Sequence, residues 1–294
     1  MKKLTAIMLA LCCLSLGSQL LAQNRDFGRG EVKVTIPDSY DENRAAPLIV
    51  LLHGYTSSGA NQDSYMGFSE LADDYGFLLV APDGTREANG NRSRFWNASE
   101  ACCNFYASEV DDVDYIKGII DSMKQDYNVD PARVYLIGHS NGGFMSYRMA
   151  YEHSDSIAAI ASLAGASHSG NREAPSSPVH ILQIHGTADA TIAYQGGDIR
   201  ENRYPGAIGS VTQWAAYNGC ETQGQAREIR DLDASLPGHE TGVMKYEIGC
   251  QPGGSSELWT ISAGSHVPPL SDSFAEQVVE WLYAHPKAGV GSAD

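Results

Sequence analysis

The chain has 294 residues, 43% of them hydrophobic and 19% charged, with 20 Lys and Arg against 36 Asp and Glu for a formal net charge of −16. That length supplies a sizeable buried core, and the hydrophobic share excludes a disordered chain. The acidic balance excludes a phosphate-tracking nucleic-acid binder, because such a surface repels a polyanion and gains nothing from counterion release.

Residues 1–22 have the form of a secretory signal. Lys2 and Lys3 make a positive start, Leu4–Leu16 is apolar, and the segment ends on the small residue Ala22. The apolar run is too short to span a membrane, and no run of eighteen or more follows it. Cleavage would take away two Lys and no acids, leaving residues 23–294 as one domain with a net charge of −18. A secreted protein, periplasmic or extracellular, is expected, with no membrane association after cleavage and a monomeric state. The four remaining cysteines suit an oxidising compartment. Cys220 and Cys250 are the natural pair, closing a loop of about 30 residues. The adjacent Cys102 and Cys103 either bond to each other or exchange partners with that pair. Zinc-type spacing is absent, so no metal site is expected.

From Glu31 onward, apolar β-branched runs alternate with segments of helical period, the pattern of a mostly parallel sheet with helices on both faces. Glu31–Ile36 alternates like an edge strand. Pro47–Leu52, Phe77–Ala81, Arg133–Ile137, Ile157–Leu163, Val179–His185 and Glu257–Ile261 are predicted strands. Between the second and third of these runs a helix over Glu109–Tyr127 is predicted, with Ser108 and Asp111 as its start signal. A second helix begins near Phe144. The last helix is placed at Asp272–His285 with Phe274, Val278, Trp281 and Leu282 inward, and residues 286–294 are expected to fray. Only about 15 residues separate the runs 157–163 and 179–185, which leaves no room there for a large lid domain.

Gly138-His139-Ser140-Asn141-Gly142-Gly143 lies between a predicted strand and a predicted helix. A nucleophile elbow requires that context, and it requires small residues two positions on either side of the serine. Ser140 is therefore the candidate nucleophile. A serine hydroxyl needs a base, itself oriented by an acid, and in this fold the chain order is serine, acid, histidine, each in a loop after a strand. Asp189, in Gly186-Thr187-Ala188-Asp189, and His266, in Ser262-Ala263-Gly264-Ser265-His266, meet that requirement. The other histidines sit less suitably: His139 in the elbow, His180 and His185 within a strand, His153 and His285 at helix ends, His53 in the loop after Pro47–Leu52, and His168 and His239 in loops out of order. Asp198, Asp231 and Asp233 are rival acids in poorer positions. A tetrahedral oxyanion needs two N–H donors, expected from the backbone of Asn141 and of Tyr55 in His53-Gly54-Tyr55. The Tyr55 ring is also placed to meet an acyl group.

These residues together resemble a known group. Residues 51–55, the run from Asp130 to Gly143, His185-Gly186-Thr187-Ala188-Asp189-Ala190 and Gly264-Ser265-His266-Val267-Pro268 are similar to secreted polyhydroxybutyrate-depolymerase-like and feruloyl-esterase-like α/β-hydrolases over nearly all of residues 27–284. Phe95-Trp96-Asn97 followed by Cys102-Cys103 and Asp111-Asp112-Val113, and Asn218-Gly219-Cys220 with distant Cys250, make the resemblance more specific. It implies Ser140 as nucleophile, Asp189 as acid, His266 as base, and Tyr55 and Asn141 as oxyanion donors, with no cofactor. The family's usual proline after the acid is Ala190 here. The family's usual Gly-Gly-His-x-Trp-Pro run is Gly264-Ser265-His266-Val267-Pro268 here, and the loss of its tryptophan alters the pocket wall beside the histidine. Trp96 either lines the substrate cleft instead or packs in the core. The expectation is a secreted serine esterase with an open site for bulky or polymeric esters: feruloylated or acetylated polysaccharide, hydroxyalkanoate oligomers or other polyesters. An acyltransferase on the same fold and a catalytically inactive binding protein are the alternatives. The negative surface is expected to disfavour anionic substrates, less so at high salt.

Overall fold

The computed structural model describes residues 21–290. The proposed leader occupies residues 1–22 and so lies outside the described residues, apart from Leu21 and Ala22 at the start of the first strand.

The chain runs through β1 (Leu21–Asp26), β2 (Glu31–Ile36), β3 (Ala46–Leu52), α1 (Gly59–Met66), a short 3₁₀ turn at Phe68–Leu71, α2 (Ala72–Tyr75) and β4 (Leu78–Val80). Then come β5 (Thr85–Arg86), β6 (Arg94–Phe95), α3 (Asp112–Asp126), β7 (Val129–His139), α4 (Asn141–Glu152), β8 (Ala159–Leu163) and β9 (His180–Gly186). The last part holds β10 (Gly196–Ile199), β11 (Asn202–Pro205), α5 (Ala207–Tyr217), β12 (Gln225–Arg230), β13 (Thr241–Tyr246), β14 (Ser255–Ile261) and α6 (Phe274–Tyr283).

Ten strands form one sheet in the order β1-β2-β4-β3-β7-β8-β9-β14-β13-β12. The six from β4 to β14 are parallel, and antiparallel pairs finish both ends. Burial on both faces explains why the central strands are apolar throughout and do not alternate with polar residues. In β3, Leu48, Val50 and Leu52 pack with Ile116, Ile120, Met145 and Met149 from α3 and α4. Ile49 and Leu51 face the other way, toward Phe274, Val278 and Leu282 of α6. The period-two reversal of side chains along one strand thus feeds two cores at once. This is the α/β-hydrolase fold, and the crossover between β8 and β9 carries no inserted domain among the described residues.

Each predicted strand is present, with ends displaced by up to four residues. The helix predicted at Glu109–Tyr127 begins later, at Asp112, because Asp111 and not Ser108 caps it: the Asp111 carboxylate accepts the Asp114 N–H at 2.9 Å. Three features had no clear sequence signal. The exposed edge strand β12 carries few buried side chains, and the hairpin β10–β11 is short. Helix α5 opens on Gly206 with no side-chain cap and holds Gly209 inside, yet buries Val211 and Trp214 completely.

The expected fraying from Pro286 is corrected for its first residues. Lys287 is buried, its backbone N–H donates to Ala132 O at 2.9 Å, and its ammonium donates to Ile157 O and Pro178 O, both at 3.2 Å. Carbonyls left free at two strand starts hold this segment, an arrangement with no local sequence pattern.

Cys102 bonds to Cys103, and Cys220 bonds to Cys250. The second bridge ties the end of α5 to the loop between β13 and β14 across a sequence separation of 30. On the loop-closure model it is worth about 3.5 kcal/mol. The double variant Cys220→Ser/Cys250→Ser is expected to lose about 3 kcal/mol of unfolding free energy in urea; an unchanged midpoint would remove the bridge from the stabilising interactions.

Candidate active site

Ser140 stands between the end of β7 and the first residue of α4 with φ 53° and ψ −118°, a strained conformation for a residue with a side chain. The glycines two positions away on either side give the turn the room it needs. A Cβ on Gly138 would sit 2.1 Å from Gly142 O, and one on Gly142 would sit 2.1 Å from Leu52 O. The α4 N-terminus can therefore close down on β7 and β3 only without side chains at these two positions. The turn lifts the Ser140 hydroxyl out of the strand, while the Asn141 N–H, in the first turn of the helix, has no intrahelical acceptor.

The loops after β9 and β14 bring the other two residues to it. His266 Nε2 lies 2.9 Å from Ser140 Oγ, and His266 Nδ1 lies 2.8 Å from Asp189 Oδ2. A carboxylate only accepts, so Nδ1 carries the proton and Nε2 turns a lone pair toward the serine hydroxyl. The Asp189 side chain is fully buried, and its Oδ1 accepts the Thr191 and Ile192 N–H groups at 2.8 Å each. Burial by itself would raise its pKa. Hydrogen bonds from His185 and His266, the charge His266 can carry and the Ile192 N–H outweigh burial, and hold the carboxyl well below the usual carboxylate range.

Several residues that sequence reasoning passed over support this trio. His139 Nε2 donates to His266 O at 2.9 Å, and Tyr65 donates to Pro268 O at 2.8 Å, so both ends of the 266–268 segment are pinned. His185 accepts from Gln183 Nε2 at Nδ1, 3.0 Å away, which puts its own proton on Nε2. That Nε2 lies 2.8 Å from Ile192 O and 3.3 Å from Asp189 Oδ2. In the sequence these histidines are merely part of the elbow or of a strand; their roles arise from contacts 80 or more residues apart, or from a loop folding back.

The opposite wall is the loop after β3. His53 Nδ1 donates to Gly54 O at 2.7 Å, and its Nε2 accepts the Gly84 N–H at 2.8 Å. Burial pushes the His53 pKa down to about 4, so the ring stays neutral and keeps this tautomer. Because the Gly54 carbonyl and the Tyr55 N–H are opposite ends of one trans peptide, holding the first turns the second away from His53. The Tyr55 side chain borders the Ser140 cavity, its hydroxyl bonded to Glu87 at 2.6 Å and its ring edge-on to Phe105.

Trp96 requires a correction: it does not line the cleft. Its side chain is wholly buried, and its indole N–H donates to His53 O at 3.0 Å. Its backbone N–H and carbonyl are both bound by the Asn141 side-chain amide, at 2.7 and 3.0 Å. Asp112, buried beneath, accepts the Asn97 N–H at 2.6 Å and pairs with Arg29. Trp96 thus joins the two backbone segments proposed to hold an oxyanion, a structural task that needs a large donor-bearing ring and no substrate.

A cavity of about 360 Å³ adjoins Ser140, bordered by Gly54, Tyr55, Gln62, Tyr65, His139 and Val267. Val267 is 54% exposed and leaves this wall low. Among the described residues no group of three or more His, Cys, Asp or Glu side chains is placed to hold a metal, and no helix is long and apolar enough to cross a membrane.

Strand, tight turn, helix and a hydrogen-bonded Ser-His-Asp trio on this sheet define an α/β-hydrolase. The sequence profile of the phospholipase/carboxylesterase family matches residues 39–239, and the chain belongs to that family. It is 29% identical over 245 residues to "Feruloyl esterase B" of Piromyces equi, covering 80% of this chain and 42% of that one. It is 31% identical over 239 residues to "Poly(3-hydroxyalkanoate) depolymerase C" of Paucimonas lemoignei, covering 76% and 56%. The chain spans less than two thirds of the length of these curated relatives. Among solved structures, an acetyl xylan esterase from Aspergillus awamori superposes with a TM-score of 0.61 at 16% identity, over 91% of this chain and 99% of that one, a likeness of fold.

Folding lowers the Asp189 pKa below its ordinary value of 3.8. The resulting stability is therefore complete above that value and is lost as pH falls through and below it. Unfolding free energies measured in urea from pH 6 to pH 2 should fall more steeply below about pH 4 for the wild type than for Asp189→Asn. Parallel curves would show that the carboxylate is not stabilised by its neighbours.

Proposed function

We propose that the protein is a secreted serine esterase that works through an acyl-enzyme. The supporting observation is the single line of hydrogen bonds from Asp189 through His266 to Ser140, beside two unengaged backbone donors. Ser140 Oγ attacks the ester carbonyl as its proton passes to His266 Nε2. The imidazolium so formed is stabilised by Asp189, which stays ionised, and then protonates the departing alkoxide. The carbonyl oxygen, negative in the tetrahedral intermediate, is received by the N–H groups of Tyr55 and Asn141. Water deprotonated by His266 attacks the acyl-enzyme and releases the carboxylic acid and free Ser140. The steps need no cofactor.

For substrate class, the low wall at Val267 and the absence of an inserted domain between β8 and β9 favour bulky esters, among them feruloyl or acetyl esters of polysaccharides and hydroxyalkanoate oligomers. The relatives' names point the same way. Disulfides at 102–103 and 220–250 suit an oxidising compartment, which supports secretion, and the protein acts as a monomer.

Ser140→Ala should lower kcat/KM on p-nitrophenyl acetate by about 10³-fold or more. Retained activity in the folded variant would end the esterase reading. With the wild type, added glycerol should leave the free acid as the main product; dominant acyl transfer to glycerol would make the protein an acyltransferase instead.

A further inference from the structure

Three of the polar side chains that line the cavity beside Ser140 are already engaged. Tyr55 donates to Glu87, Tyr65 to Pro268 O and His139 to His266 O. Gln62 of α1 differs. It borders the same cavity, is 2% exposed, and uses its Oε1 to accept the Gly54 N–H at 3.1 Å. Its buried Nε2 has no hydrogen-bond partner. A backbone N–H can only donate, so the amide cannot be turned the other way, and the group left over is the NH₂. A buried donor without an acceptor costs free energy, and that cost is recovered when a ligand supplies the acceptor.

We propose that Gln62 is a specificity-determining residue whose Nε2 donates to an oxygen substituent on the acyl chain of the ester. The inference rests on the esterase reading of the site. Its location decides which part of the substrate is meant: with Oε1 on the Gly54 nitrogen, Nε2 lies one amide width from the loop whose Tyr55 N–H receives the acyl carbonyl oxygen. An acyl chain entering the cavity brings its first substituents past this amide. An ether, hydroxyl or further ester oxygen satisfies the donor. A methylene at the same position leaves it buried and unpaired, so hydrocarbon acyl groups are selected against.

The test compares p-nitrophenyl 3-methoxypropanoate with p-nitrophenyl pentanoate, which have chains of equal length and exchange one oxygen for a methylene. Each kcat/KM is divided by the rate constant for hydroxide hydrolysis of the same ester to remove intrinsic reactivity. The wild type should favour the oxygen-bearing ester by about tenfold, and Gln62→Met should bring the ratio close to one. A wild-type ratio near one overturns the proposal without any variant. So does a Gln62→Met enzyme that cleaves both esters more slowly but keeps the wild-type ratio, because support of Gly54 alone would slow both alike. Failure of the wild type to cleave either ester would instead overturn the esterase reading, and this inference with it.

Discussion

The site depends on one close approach, that of the α4 N-terminus to the ends of β7 and β3. Helix and sheet meet there backbone to backbone, with Gly142 against Leu52 O and Gly138 against Gly142 O. Gly143 likewise meets Gly165 on the following loop. Ser140 is held at positive φ as a result, at a cost of about 1–3 kcal/mol that the buried packing of α4 on the sheet offsets. This one contact presents the proposed nucleophile, leaves the first helical N–H groups without intrahelical acceptors, and sends the Asn141 side chain back into the protein. There it binds both polar groups of the Trp96 backbone, whose indole in turn holds His53 O. Hydrogen bonds therefore tie together the two loops that flank Ser140.

The surrounding histidines divide into one that meets Ser140 and others that are held on backbone groups. Burial drives the pKa of His53 and His139 to about 4, so at neutral pH both are neutral rings with a fixed proton. His53 holds the Gly54 carbonyl and His139 holds the His266 carbonyl, each acting on the backbone. His266 is the ring with Nε2 next to the serine and Nδ1 on a buried carboxylate. Local dielectric and the available acceptors separate these roles, although the side chains are chemically identical.

Much of this was legible in the chain. The sheet core was readable because strands buried on both faces are continuously apolar, and α3 and α6 because their buried stripes recur at helical spacing. The Ser140, Asp189 and His266 candidates followed from a rule that is itself positional: one serine in a glycine-flanked turn, then an acid and a histidine each a few residues beyond a strand. The α5 helix, the β10–β11 hairpin and edge strand β12 were not legible, since each lacks a cap, a turn signal or a buried stripe and takes its form from what it packs against.

The sequence by itself determined the fold class and singled out the three residues that meet as the hydrogen-bonded trio, because periodicity and turn chemistry are local and are written over a few consecutive residues. The tertiary structure decided which side chains support them. It moved Trp96 from the cleft wall into the core, gave His53, His139 and His185 their tautomers and partners, joined Cys102 to Cys103, and left the side-chain nitrogen of Gln62 unpaired. These outcomes depend on burial and on hydrogen-bond partners distant in the chain, and neither quantity exists until the sheet has brought its strand ends together.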